Sequence, residues 1–216
     1  MRAGELLRKH DEVLAELREK QPSGLLRFGC PDDYAVVFLP YLLQGVTSLS
    51  PRVQVHVTCA PTPRLHELLA RGAVDLALVS VTDDPAFGDV IRREQLVWVA
   101  QRGGGAASLD PLPLALGAPD ALDHLLPRRV LEAAGRAYRV AYACCSLTGL
   151  IGMARSGQAV NVLTRTAVPE DLQILAPDQE LPDLPSIGIT LAFDRDEPTE
   201  LTAAFAAHVR KLLPTA

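Results

Sequence analysis

Nowhere in its 216 residues does the sequence gather Lys and Arg into a cluster, and its formal net charge is −5. Phosphate neutralisation needs concentrated positive charge, so nothing in this chain has the electrostatic footprint of a nucleic-acid binder. Also missing is any stretch near the roughly 20 apolar residues that span a bilayer. The first 20 residues hold five basic and five acidic side chains, unlike a secretory leader. A cytoplasmic protein is therefore expected. Of the four cysteines, Cys30, Cys59, Cys144 and Cys145, no two form a C-x-x-C pair. The adjacent Cys144 and Cys145 are poorly placed to share a tetrahedral metal. Free thiols are expected, with neither metal nor cofactor. Catalytic signatures are absent as well: there is no G-x-S-x-G and no H-E-x-x-H, and the five histidines are scattered. A non-enzymatic protein is expected.

What the sequence does contain is alternation of strand and helix. Residues 1–20 come first, as a helix with Ala3, Leu7, His10, Leu14 and Leu17 at the spacing of a coiled-coil seam. Gln21-Pro22-Ser23-Gly24 breaks it. Strands are expected at 25–30, 52–59 and 74–80, with helices over 34–48 and 63–71 between them. Short β-α-β-α-β connections imply a parallel, right-handed sheet covered by helices. Residues 90–101 read as two strand pieces around Arg93-Glu94. Gly103-Gly104-Gly105, followed by Pro111 and Pro113, reads as the crossing into a second lobe. That lobe repeats the pattern: strands at 114–117, 138–144 and 160–163, helices at 121–134 and 147–155. Residues 178–185 are loop-like, 187–193 form a strand that crosses back, and 199–213 form an amphipathic helix. That last helix should present Leu201, Phe205, His208, Val209 and Leu212 on one face.

Two α/β lobes joined by two crossings make a hinged clamshell, and ligands in such sheets bind beyond the carboxyl ends of the strands. The expected organisation is a helix over 1–22, one lobe from 23–102 and 193–216, and a second from 103–192.

Three segments resemble the effector-binding domain of LysR-type transcription regulators. They are Leu25-Leu26-Arg27-Phe28-Gly29-Cys30 with Leu39-Pro40 and Pro51; residues 68–78, with a helix, Gly72, Asp75 and an apolar strand; and residues 150–157 followed by Val160-Asn161-Val162-Leu163. Pro31-Asp32-Asp33-Tyr34-Ala35 further resembles the LrhA/HexA-like branch of that family. The resemblance implies a two-lobed, type II periplasmic-binding-protein-like fold with Rossmann-like subdomains. It implies an effector-sensing role in transcription regulation and self-association as a homodimer or homotetramer. It makes 1–22 the end of a linker helix, with DNA contacted only through a winged helix-turn-helix that this sequence does not include. The alternative is a transporter's solute-binding protein of the same fold. Gly72 can take the left-handed conformation that ends a helix, and Asp75 can then bond local backbone N–H groups.

The candidate effector contacts all fall at strand ends. Pro31, Asp32, Asp33 and Tyr34 follow the first strand, where an Asp can also cap the next helix. Thr62 opens the second helix, Ser80 and Thr82 end the third strand, and Gly117 and Ala118 allow close backbone approach in the second lobe. Ser146 and Leu147 open that lobe's second helix, and Thr164 ends its following strand. Asp32 and Asp33 would oppose an anion, which favours a neutral or amine-bearing effector. The cysteines at strand ends allow a redox sensor as a rival, although buried thiols are ordinary there.

Overall fold

A computed structural model describes residues 24–49, 52–82, 89–176 and 181–213, and for 47–49 the backbone only. The linker-helix expectation for 1–22 lies outside these residues. Alternating apolar side chains run through β1 (Gly24–Cys30), where Leu26, Phe28 and Cys30 are buried on one face. Helix α1 (Asp32–Leu49) covers that face with a stripe at every fourth residue, Tyr34, Phe38, Leu42 and Val46. Strand β2 (Val53–Cys59) forms the edge, and α2 (Thr62–Ala70) lies on the opposite face, so closely that a Cβ at Gly29 would meet Leu65 Cδ2 at 2.7 Å. In β3 (Leu76–Thr82), Leu76 and Leu78 face α1, while Ala77 and Val79 face Leu65 and Leu69 of α2. Burial on both sides is why this strand reads as a continuous apolar run.

One strand, β4 (Arg92–Gln101), occupies the place of the two expected pieces. Its first part, Arg92 to Gln95, pairs antiparallel with β9 (Ser186–Phe193), while Leu96 to Val99 pair with β7 (Val160–Thr164). Between them in sequence come β5 (Leu112–Leu116), α3 (Leu122–Ala133), β6 (Tyr138–Ala143) and α4 (Leu147–Arg155). A short β8 (Leu172–Ile174), not anticipated, pairs with Val99 to Gln101. The C-terminal helix α5 (Glu200–Leu212) returns to the first lobe, where Phe205 meets Phe28 edge-on at 5.2 Å. Its buried stripe is Thr202, Phe205, Ala206 and Val209; Leu212, expected on that face, is exposed. His208 rests against Gly45 of α1, where any β-carbon would collide with the imidazole.

The strand order is β2-β1-β3-β9-β4-β7-β5-β6, with β8 off that path on β4. Within each lobe the pairs β1–β2, β1–β3, β5–β6 and β5–β7 are parallel, as short β-α-β connections require. The crossing strands β4 and β9 run antiparallel to their neighbours. The chain therefore changes lobe within β4, near Gln95 and Leu96, and not at Gly103-Gly104-Gly105. The glycines instead form the turn after β4, with Gly103 at φ 72°. Sequence reading placed the boundary there because flexibility is legible in composition and an exchange of strand partners is not.

Gly72 ends α2 at φ 62°, its N–H donating to the Leu69 carbonyl and that of Ala73 to Leu68, the expected left-handed stop. Asp75 does something other than bond its local backbone. Its Oδ2 accepts the Arg27 backbone N–H at 2.8 Å and Nε at 3.2 Å, tying β1 to the entry of β3. Arg27 in turn donates to the Gly72 carbonyl and to Asp75 Oδ1. A guanidinium within reach competes better than a local N–H because both partners carry charge.

Candidate functional site

The carboxyl ends of the two parallel sheets face each other, and the first turns of α1, α2, α3 and α4 converge between them. They line a partly open cavity of about 90 Å³. Nine of the anticipated contacts line it: Pro31, Asp32, Asp33, Thr62, Ser80, Gly117, Ala118, Leu147 and Thr164. Leu96, Val162 and Ile187 add an apolar wall from the crossing strands and β7.

Three anticipated residues stand apart from that lining. Tyr34 is buried one residue further along α1, and its hydroxyl hydrogen-bonds Ser80 Oγ at 2.8 Å, so it holds a wall residue from behind. Thr82 lies beyond the cleft, in register with Ile187 of β9. Ser146 caps α4 with extended backbone but no side-chain bond, and its side chain is exposed. None of these three residues is among those lining the cavity.

The capping expectation for Asp32 and Asp33 also changes. The first helical bond of α1 runs from Ala35 N–H to the Pro31 carbonyl at 2.9 Å, so Pro31 holds the cap position and both aspartates lie in the first turn. Both reach across to the second lobe. Asp32 Oδ2 accepts the Leu147 N–H at the start of α4 at 3.1 Å, and Asp33 Oδ2 accepts the Thr164 hydroxyl at 3.0 Å. Thr62 works within its own lobe, its Oγ1 accepting the Ser80 N–H at 2.9 Å.

The cavity contains a third carboxylate that the sequence reading missed, Asp123 in the first turn of α3. It packs so tightly on Gly117 that a Cβ there would lie 2.4 Å from its Oδ2. Burial raises Asp33 to about 7, and the like charge of Asp123 adds to the rise despite the Thr164 hydrogen bond. Burial likewise raises Asp123 to about 6, against the pull of its own backbone N–H and that of His124. The signal available in sequence was Pro119-Asp120-Ala121 ahead of a helix with an acid in its first turn, the same arrangement as Pro31-Asp32-Asp33.

Cys144 and Cys145 line the cavity, while Cys30 and Cys59 pair in register at the ends of β1 and β2. Burial pushes both the Cys30 and Cys59 thiols up, away from the reactive thiolate. That is the reverse of the electropositive setting a redox sensor needs. Among the described residues no group of three His, Cys, Asp or Glu side chains could hold a metal ion.

Residues 19–214 match the family described as LysR substrate binding domain. The chain belongs to this family. It is 56% identical over 212 residues to the HTH-type transcriptional regulator DgdR of Burkholderia cepacia, covering 98% of this chain and 72% of that protein. It is 26% identical to the HTH-type transcriptional regulator PecT of Dickeya dadantii (strain 3937), covering 96% of this chain and 66% of the relative. Among solved structures, the fold matches the Synechocystis PCC6803 CcmR regulatory domain in complex with 2-PG, with a TM-score of 0.74 at 16% identity over 90% of this chain and all of that one. It also matches the C-terminal domain of a probable LysR family regulator from Rhodococcus sp. RHA1, with a TM-score of 0.66 at 22% identity over 87% and 99% of the two chains. These matches establish the LysR effector-binding domain and its type II periplasmic-binding-like fold. The relatives are transcription regulators, which disfavours the transporter alternative. The match identifies the family and not the branch suggested by Pro31-Asp32-Asp33-Tyr34-Ala35.

Proposed function

We propose that this effector-binding domain senses a small molecule held between its lobes, and that the bound molecule modulates DNA binding by a winged helix-turn-helix outside this chain. The observation that carries the reading is the convergence of four helix starts, two from each lobe, on one cavity. A ligand there touches both lobes at once, so its contacts depend on how far the hinge strands β4 and β9 have closed. It can shift the hinge only by binding one state more tightly than another. Asp32 to Leu147 and Asp33 to Thr164 are the bonds that closure makes. The contacts assigned to effector are Asp33, Thr62, Ser80, Gly117, Ala118 and Thr164, with Tyr34 and Asp32 positioning them. The role is binding and not catalysis, the setting is the cytoplasm, and the working form is a homodimer or homotetramer. Among the described residues no helix is long and apolar enough to cross a membrane.

Thermal melting against a library of small metabolites tests this reading. Stabilising compounds are expected, and Ala118→Trp, which fills the cavity, is expected to abolish their effect while leaving the melt cooperative. Stabilisation that survives Ala118→Trp would place the effector elsewhere.

A further inference from the structure

The cavity is acidic from both sides. Asp32 and Asp33 come from the first lobe and Asp123 from the second, and among the described residues no Lys, Arg or His side chain lines it. Helix N-termini ordinarily offer anion sites, because their orphan N–H groups and dipole favour negative charge. Here three of the four helix starts, those of α1, α3 and α4, have one of the protein's own carboxylates beside them. Asp32 occupies the start of α4, and Asp33 and Asp123 lie in the first turns of α1 and α3. An incoming anion would meet three carboxylates in the same cavity. Asp33 and Asp123, from opposite lobes, line one cavity, and the charge of Asp123 disfavours the ionisation of Asp33. A positive charge placed between them would relieve that repulsion, and only in the closed arrangement.

We propose that the effector carries a compact ammonium group, seated between Asp33 and Asp123 and bridging the two lobes. This rests on the cleft reading above and names the class of ligand that the cleft takes. A metal ion is the poorer occupant, because the carboxylates do not converge into a coordinating group. An ammonium reaches separate acceptors through three N–H donors. Thr62, Ser80 and Thr164 add hydroxyl-bearing residues to the same lining. Leu96, Val162 and Ile187 receive its hydrocarbon part.

Three probes of matched size test the proposal: n-propylammonium, propionate and 1-propanol, at equal ionic strength and a pH near 8, where both aspartates are ionised. Binding is followed by melting temperature and by titration calorimetry. The expected result is stabilisation by n-propylammonium alone. Its affinity should fall about tenfold to a hundredfold in Asp33→Asn and in Asp123→Asn, the scale of a lost charge-assisted hydrogen bond. Asparagine keeps an acceptor for the Thr164 hydroxyl, so the latch and the fold are retained, and a cooperative melt verifies this. Stabilisation by propionate but not n-propylammonium, lost in Ala118→Trp, would overturn the ammonium inference and leave the cleft reading standing. Binding of n-propylammonium that is unchanged in both Asn variants would overturn it too, as would no binding by any ammonium from methyl to butyl. Binding that persists in Ala118→Trp would contradict both readings.

Discussion

The two lobes are built on one pattern and complete it differently. Each sends two helix starts into the cleft, the first with an acid in its opening turn and the second with a hydroxyl at or beside its cap. In the first lobe the hydroxyl is used at home, Thr62 accepting the Ser80 N–H. In the second, Ser146 turns to solvent and makes no side-chain cap bond, and the N–H of Leu147 is satisfied by Asp32 of the first lobe. Thr164 likewise donates to Asp33. The first lobe supplies acceptors and the second supplies donors, so the second lobe's helix start is completed by a residue of the first. Two repeats of one supersecondary unit are thus made interdependent by a missing bond in one copy.

The lobes also differ in how the chain closes their cores. The first depends on α5, far away in sequence, whose Phe205 is fully buried against Phe28. The second gathers Trp98, Leu112, Leu114, Leu131 and Val160 around its own strands. Phe205→Ala is expected to have the largest effect, about 3–5 kcal/mol of unfolding free energy by chemical denaturation. Hydrogen exchange should rise in β1 and β3 before β5 and β7. Uniform loss of protection would show that the lobes do not have separable cores.

Asp32→Ala comes next. It orphans the Leu147 N–H and should cost about 1–2 kcal/mol, as loss of a helix cap does. The accompanying rise in exchange should centre on α4, in the lobe that does not contain the substitution. Thr62→Val should cost about 1 kcal/mol, confined to the first lobe around Ser80. Ser146→Ala is expected to change stability by no more than about 0.5 kcal/mol, as for surface positions without a specific bond. A Ser146→Ala loss as large as that of Asp32→Ala would remove the asymmetry.

The acidic cleft has a pH signature with a definite sign. Asp33 at about 7 and Asp123 at about 6 stand above the ordinary value of 3.8. Between about pH 4 and 7 the folded state therefore binds more protons than the unfolded one. These two groups make stability fall as pH rises through that window, with their full stabilising contribution present only below it. Asp33→Asn should flatten the fall in melting temperature between pH 4 and 7, and an unchanged slope would count against the buried pair.

The fold was largely legible in the sequence because its signals are local. Runs such as Leu76-Ala77-Leu78-Val79 mark doubly covered strands, Gly72 marks a helix end, and Thr199 marks the start of α5, where its hydroxyl accepts the Thr202 N–H. What escaped was non-local. Asp75 pairs with a residue 48 positions away, β8 is only three residues long, and β4 changes partners without a break in its pattern. The site followed the same division. Strand-end positions such as Asp33, Thr62 and Thr164 could be read one by one. Asp123 gains its meaning only from a carboxylate in the opposite lobe, 90 positions earlier.

The central claim is that a ligand between the lobes favours their closure. It is tested most directly by the distance between spin labels at exposed His66 on α2 and exposed Arg129 on α3, introduced through unnatural side chains to spare the native thiols. The account predicts a single, narrower and shorter distance distribution with n-propylammonium, and no such change in Asp123→Asn. A distribution that n-propylammonium leaves unaltered, under conditions where calorimetry shows it bound, would contradict the account.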